Sequence, residues 1–286
     1  MENVVYLNGR YLPLEEASVS PLDRGFLMAD GIYEVTSVID GLLIDYAGHM
    51  ARLKRSILEM SMQLPCQLED LLNIHREILS SNRITEGGIY LQLTRGAPAN
   101  RDFVWPDPQV VKPTLFIFGF AKKLVHTDSA VNGIRVKTVP DLRWKRRDIK
   151  TVQLLYSSQS KTAAYREGYD DVWMSEDGTI TEGSSSNAYI VNDGKVITRP
   201  LSSDILHGIT RSTLLRFASE TGIKVEERPF TVQELYRSSE AFATSSTSLV
   251  QPVISVDSIN IGTGVPGPIT NRLRELYIEE SLKRGI

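Results

Sequence analysis

Glu182 lies in the run Thr181-Glu182-Gly183-Ser184-Ser185-Ser186-Asn187, which offers a carboxylate, a glycine, three serine hydroxyls and an amide but no apolar side chain. An acid held among donors can keep a proton on a ring nitrogen and so keep that ring cationic; a solvated polar loop is the competing reading. Lys150 closes the basic segment Asp141–Lys150, three positions after the run Lys145, Arg146 and Arg147. Neighbouring cations favour the free amine of a buried lysine, the form that makes Schiff bases. A solvated basic turn is the alternative there. Gly208-Ile209-Thr210 at a helix start and Ser245-Ser246-Thr247 at a strand end present further N–H groups and hydroxyls. The free N–H groups and dipole of a helix start favour phosphate, although each cluster alone also reads as a cap or turn. The chain has no P-loop, and the three polar clusters together point to one phosphate on a small cofactor, not to a nucleotide.

Other chemistries find less support. His49, His75, His126 and His207 show no zinc-ligand spacing, so no metal site is expected. Ser184, Ser185 and Ser186 are conceivable nucleophiles, which keeps a serine hydrolase open, but no Gly-x-Ser-x-Gly surrounds them. Cys66 is a lone cysteine and reads as a loop residue.

The elements that must carry these groups follow from local pattern. Val4–Leu7, Asn8-Gly9 and Arg10–Leu12 read as a tight hairpin. Ile32–Ile39 has strand composition, and Asp40-Gly41 turns it into Leu42–Ile44. Helical spacing runs from His49 to Leu64 through Met50, Leu53, Ile57 and Met60, with Pro65 as the stop, and a second helix spans Leu68–Ser81. Strands at Gly88–Thr94 and Thr114–Phe120 flank a loop, Arg95–Pro113, long enough to be functional. Polar residues 121–133 mark a linker. Beyond it come a strand at Ile134–Val139, a helix at Val152–Glu167, and strands at Asp170–Ser175, Thr179–Thr181 and Ala188–Val191 around an Asp177-Gly178 turn. A helix at Thr210–Thr221 ends on Gly222. A strand at Val225–Pro229, a short helix at Thr231–Tyr236, a strand at Ala241–Thr244 and a helix at Pro268–Lys283 complete the chain. The expected fold class is α+β in residues 1–120 and mixed α/β in 134–286, with 121–133 between them.

With 286 residues the chain can bury a large core, and 41% hydrophobic with 23% charged residues is ordinary for a globular protein. A net charge of −3 leaves no basic surplus for nucleic acid. No apolar run reaches the roughly 18–20 residues of a membrane span, and Met1–Leu7 has no signal-type pattern, so a cytoplasmic protein is expected.

The set of motifs resembles the fold-type IV pyridoxal-phosphate enzymes. It comprises Asp148-Ile149-Lys150, Glu182 thirty-two positions later in Thr-Glu-Gly-Ser-Ser-Ser-Asn, Gly208-Ile209-Thr210-Arg211, and Thr244-Ser245-Ser246-Thr247-Ser248. Asp30-Gly31-Ile32-Tyr33-Glu34-Val35 and Leu142-Arg143-Trp144 are most similar to the D-amino-acid aminotransferases. The resemblance implies a two-domain fold: a smaller α+β N-terminal domain and a larger C-terminal domain with a barrel-like β core. It also implies pyridoxal 5'-phosphate as cofactor and ping-pong transamination between a D-amino acid and a 2-oxo acid. By the same resemblance Lys150 carries the Schiff base and shuttles the proton. Glu182 pairs with the pyridine nitrogen, Arg52, Ile209, Thr210, Ser245 and Ser246 bind the phosphate, Leu206 presses on the ring, and Ser185 is a further cofactor contact. Tyr33, Val35 and Tyr90 line the substrate pocket, and Arg101 reaches from the neighbouring subunit of a homodimer to the substrate carboxylate. This chain reads Arg101-Asp102-Phe103 where better-known members read Arg-x-His, which removes a donor, makes that wall apolar and sets Asp102 as a competitor for Arg101. (R)-amine and branched-chain L-amino-acid aminotransferases and aminodeoxychorismate lyase are related alternatives; a non-catalytic pyridoxal-phosphate carrier is an unrelated one.

Overall fold

The computed structural model describes residues 3–286. It divides into two compact units, one holding the chain up to Lys123 with Ile149–Gln153 and Gly285–Ile286, the other Leu124–Asp148 and Leu154–Arg284. The segment 121–133 is therefore not a free linker. Ala121 ends a strand, the division falls after Lys123, and Thr127 caps a short helix by accepting from the N–H of Ala130 at 3.1 Å. Nor is the division a single cut, because residues 149–153 and the last two residues return to the first unit.

The first unit contains β1 (Val4–Leu7), β2 (Arg10–Pro13), α1 (Arg24–Met28), β3 (Gly31–Ile39), β4 (Leu42–Leu43), α2 (Tyr46–Glu59), α3 (Asp70–Asn82), β5 (Gly87–Thr94) and β6 (Thr114–Ala121). The strands form one antiparallel sheet in the order β2-β1-β6-β5-β3-β4. Alternation along β5 sends Ile89, Leu91 and Leu93 into a core shared with Leu53 of α2 and Ile78 of α3, and leaves Tyr90 and Gln92 on the other face. α2 ends at Glu59, well short of Pro65. Ser61 takes a left-handed φ of 47°, and the N–H of Met62 bonds back to Ile57 O at 2.9 Å. The apolar period runs on past that end because Met62 and Leu64 still pack on the same core after the chain has turned.

His75 of α3 is fully buried, with Nδ1 2.6 Å from Leu71 O and no partner for Nε2 among the described residues. Burial therefore holds the imidazole neutral and lowers its pKa to about 4. The unfolded chain takes up this proton first. The stabilisation from His75 is thus whole above the ordinary value of 6.5 and is lost as the pH falls towards 4, a total of roughly 3 kcal/mol. Urea unfolding of the native chain and of His75→Phe at pH 7.5 and at pH 5 checks this: the wild type is expected to lose more stability between the two than the variant.

The second unit holds α4 (Asp128–Asn132), β7 (Ile134–Pro140), α5 (Leu155–Arg166), β8 (Asp171–Glu176), β9 (Thr179–Gly183), β10 (Asn187–Asn192), β11 (Lys195–Thr198), α6 (Ile209–Glu220), β12 (Val225–Glu227), α7 (Val232–Tyr236), β13 (Glu240–Ser245), β14 (Leu249–Val256), β15 (Ile259–Asn260) and α8 (Pro268–Arg284). Its sheet runs β12-β11-β10-β13-β14-β7-β8-β9, with β15 on β14. Only Ser184–Ser186 separate β9 from β10 in the chain, yet the two strands stand five places apart in the strand order. A flat sheet could not satisfy both, so the strands curl until β9 comes back beside β10. β14 is central despite Pro252: the proline lies opposite Phe242, one residue before the β7 ladder starts at Val253. α6 closes as expected on Gly222, with Ile223 N bonded to Ala218 O at 2.9 Å.

Candidate active site

In the first unit Lys150 is delivered to the sheet by a short antiparallel bridge. Ile32 pairs with Thr151, Tyr33 N donates to Lys150 O at 2.9 Å, and Val152 N donates to Gly31 O at 3.0 Å. The Lys150 Nζ lies 4.2 Å from the centroid of the Tyr33 ring and forms no ion pair among the described residues. Tyr33 stacks on Tyr90 with centroids 5.5 Å apart, and the Tyr90 hydroxyl donates to Gln92 Oε1 at 2.7 Å. Val35 shares a strand face with Tyr33 and is the register partner of Tyr90. Four sequence candidates thus meet: Lys150, Tyr33, Val35 and Tyr90.

Arg52 belongs to a different arrangement. Glu34, on the opposite face of β3 from Tyr33, accepts from Arg52 Nε and Nη2 at 2.7 Å each, while His49 Nδ1 lies 2.8 Å from its Oε2. Burial opposes ionisation of Glu34, but Arg52 and His49 outweigh it and hold the carboxyl at about 2. A two-pronged contact of this kind fixes the guanidinium plane.

Arg101 is exposed and packs over Phe103 at 5.1 Å. Asp102 does not engage it: its carboxylate accepts from Val104 N at 3.0 Å, a local turn of the kind aspartate makes with the N–H two residues on. The root of this loop is clamped. Thr94 and Thr114, at the ends of β5 and β6, both donate to Asp23 Oδ2, at 2.8 and 2.7 Å. Arg24 and Arg95 share Asp30, Arg24 also donates to the carbonyl of Asp102, and Arg95 stacks on Trp105 at 3.9 Å.

In the second unit Glu182 is fully buried at the end of β9. Its Oε1 accepts from Arg143 Nη1 at 2.7 Å, and its Oε2 from Asn187 Nδ2 at 3.0 Å and Leu206 N at 2.9 Å. Burial pushes the Glu182 carboxyl up, and the charge of Arg143 and the N–H of Leu206 only partly oppose this. Asn187 is where the polar clusters meet. It bonds Glu182 and Leu206 O, it opens β10 opposite Thr244, the neighbour of Ser245 and Ser246, and a Cβ on Gly208 would come within 2.0 Å of its Oδ1. Gly208 is needed there for close approach, and it starts α6 with no side-chain cap on the N–H groups of Ile209 and Thr210. Ser245 and Ser248 bond each other at 2.7 Å in the β13–β14 turn.

Ser184 donates to Asp171, Ser185 is exposed and the Ser186 hydroxyl has no partner among the described residues, so no serine–histidine pair forms. The cations before Lys150 are each matched by an acid: Lys145 by Glu176, Arg146 by Asp148 at 3.0 Å, and Arg147 by Glu176 at 3.1 Å and Asp141 at 3.3 Å. They do not act as the unopposed charge cluster that the basic run suggested. Sequence reading missed Asn187 and Arg143 as the groups that hold Glu182; the Asn at the end of the polar run and the Arg in Leu142-Arg143-Trp144 were their only signals. No group of three or more His, Cys, Asp or Glu side chains among the described residues is placed to hold a metal ion. No helix among them is long and apolar enough to cross a membrane.

The amino-transferase class IV family model matches residues 31–256. This chain belongs to the class IV amino-transferases. It is similar to the D-alanine aminotransferase of Staphylococcus haemolyticus, with 39% identity over 280 residues that cover 96% of this chain and 98% of the relative. The D-alanine aminotransferase of Bacillus licheniformis is 36% identical over 94% of each. Among solved structures of the family, the branched-chain amino acid aminotransferase of Thermobaculum terrenum in its PLP form aligns with a TM-score of 0.85 at 25% identity, covering 99% of this chain and 95% of that one. The branched-chain aminotransferase of Thermoproteus uzoniensis with norvaline aligns with a TM-score of 0.85 at 27% identity, covering 99% and 96%. The curled second sheet and the six-stranded first one are thus the fold-type IV class IV architecture.

Proposed function

We propose that the chain is a pyridoxal-phosphate-dependent aminotransferase that moves the amino group of a D-amino acid, of the D-alanine or D-glutamate type, to a 2-oxo acid such as 2-oxoglutarate or pyruvate. The observation that carries this reading is the environment of Glu182. Three donors fill three of the roughly four acceptor positions of a carboxylate, and burial still pushes the group up. That site fits one more donor, a cationic one, and a protonated pyridine nitrogen is such a donor. When bound, pyridoxal phosphate supplies an aldehyde carbon that takes up and returns the amine, and a ring that withdraws electrons from the substrate's α carbon.

The chain's own groups do the rest. The amine of Lys150 anchors the aldehyde carbon and, when the incoming amine displaces it, moves a proton between the substrate's α carbon and that carbon. Glu182 holds the ring-nitrogen proton, and Leu206 presses on the ring. Arg52, held in plane by Glu34, binds the phosphate with the N–H groups of Ile209 and Thr210 and the hydroxyls of Ser245 and Ser246; Ser185 adds a cofactor contact. Tyr33, Val35 and Tyr90 line the substrate pocket. Arg101 binds the substrate carboxylate from the neighbouring subunit of a homodimer, and the exposed Phe103, Val104, Trp105 and Val110 of its loop supply apolar surface for such a partner to cover. The donor leaves as a 2-oxo acid before the acceptor binds. A cytoplasmic setting agrees with the single free thiol, Cys66.

Paired assays test the reading. The holoenzyme, with an absorbance band at about 410–420 nm, is expected to lose that band on adding D-alanine and to form D-glutamate from 2-oxoglutarate, while L-alanine does neither. The branched-chain structural neighbours favour one second reading: turnover of L-leucine with no response to any D-amino acid would establish it and overturn the first.

A further inference from the structure

Behind Glu182 stands a line of alternating charge. Arg143 gives a single donor, Nη1, to Glu182 and turns its other edge to Asp141, with Nε 3.0 Å from Oδ1 and Nη2 2.7 Å from Oδ2. Asp141 follows β7 directly and accepts also from Thr181 Oγ1 at 2.6 Å and from Arg143 N at 3.2 Å. Arg147, almost wholly buried, is seated between Asp141 and Glu176 at 3.3 and 3.1 Å. It also reaches the carbonyls of Arg143 and Asp204 at 3.4 Å each, and its N–H donates to Ser203 O at 2.9 Å. It therefore ties the segment carrying Arg143 to the loop whose next residues bring Leu206 N to Glu182.

A guanidinium has two edges that can each grip a carboxylate. With the Nε edge held by Asp141, the plane of Arg143 is fixed and it meets Glu182 through Nη1 on Oε1, while Oε2 takes Asn187 and Leu206. Were Asp141 lost or drawn away, the guanidinium would be free to turn and bring a second N–H to Oε1, the oxygen whose remaining acceptor position the proposed function assigns to the ring nitrogen. We propose that Asp141 and Arg147 are positioning residues for Glu182: they hold Arg143 to one hydrogen bond and so keep the last acceptor position of the carboxylate open for a cationic ring N–H. This rests on the reading of Glu182 as the partner of the pyridine nitrogen.

The test uses the holoenzyme loaded with pyridoxal phosphate carrying 15N in the ring. The 15N chemical shift reports ring protonation directly, and a fluorescence titration gives the cofactor's Kd. In the wild type the ring is expected to be protonated, and in Glu182→Gln unprotonated. Asp141→Asn and Arg147→Met are expected to move the shift part-way to the unprotonated value and to raise Kd about tenfold. Arg147→Lys, which restores the positive charge, should recover much of both. A general loss of stability would lower the melting temperature without moving the 15N shift. If Glu182→Gln deprotonates the ring but Asp141→Asn and Arg147→Met leave it as in the wild type, the positioning role is overturned and the reading of Glu182 stands. If Glu182→Gln itself leaves the shift unchanged, the reading of Glu182 falls and the positioning role falls with it. Should Asp141→Asn fail to fold, the two Arg147 variants decide.

Discussion

Lys150→Ala is expected to lower the rate of transamination by on the order of 10^4-fold, since it removes both the anchoring amine and the group that moves the proton. The fold should survive. Lys150 is half-buried, its side chain is engaged only over the Tyr33 ring among the described residues, and the bridge of residues 149–153 to β3 is made by the backbone. Cofactor affinity should fall far less than the rate, because the proposed phosphate contacts lie elsewhere in the chain. Borohydride reduction followed by peptide mapping should find the cofactor fixed to residue 150 in the wild type and nowhere in the variant. A small exogenous amine such as methylamine should restore part of the proton transfer. A protein that merely carries the cofactor would behave otherwise: the wild type would show no turnover for the substitution to remove, and that outcome would end the enzymatic reading.

The second large effect is expected at Glu182. Glu182→Gln keeps the size of the side chain but cannot compensate a positive ring nitrogen. kcat should drop by about 10^2–10^3-fold, the usual cost of losing one preorganised electrostatic partner. KM should change little, because the substrate's carboxylate and side chain meet other residues. The variant also leaves Arg143 facing a neutral amide, with a stability cost of about 1–3 kcal/mol, so melting temperature and kcat should be read together. An unchanged kcat in Glu182→Gln would remove the electron-withdrawing ring from the mechanism.

Much of the architecture was readable because the signals were local. Asn8-Gly9, Asp40-Gly41 and Asp177-Gly178 turn where expected, with positive φ at both residues of each pair. The capping box of Thr231 with Glu234 starts α7 within one residue of the expected place. Errors arose where tertiary contacts replaced local rules. The helix expected to reach Leu64 stops at Glu59, because Met62 and Leu64 reach the core from a turned chain. Residues 121–133 read as a linker because polar composition looks alike in a connector and in a short capped helix such as α4.

At the site, residue types and spacing by themselves made Lys150, Glu182 and the two phosphate-type clusters candidates, since an amine in a basic run, an acid among donors and a helix start without a capping side chain are properties of short segments. Which groups Glu182 would meet was decided only by the folded chain. Arg143 lies 39 positions before it, Leu206 24 positions after it, and Asn187 reaches it across the β9–β10 corner. The curl of the second sheet closes those separations. A carboxylate's partners follow from where strands return, and strand return depends on the packing of the whole unit, which no local pattern encodes.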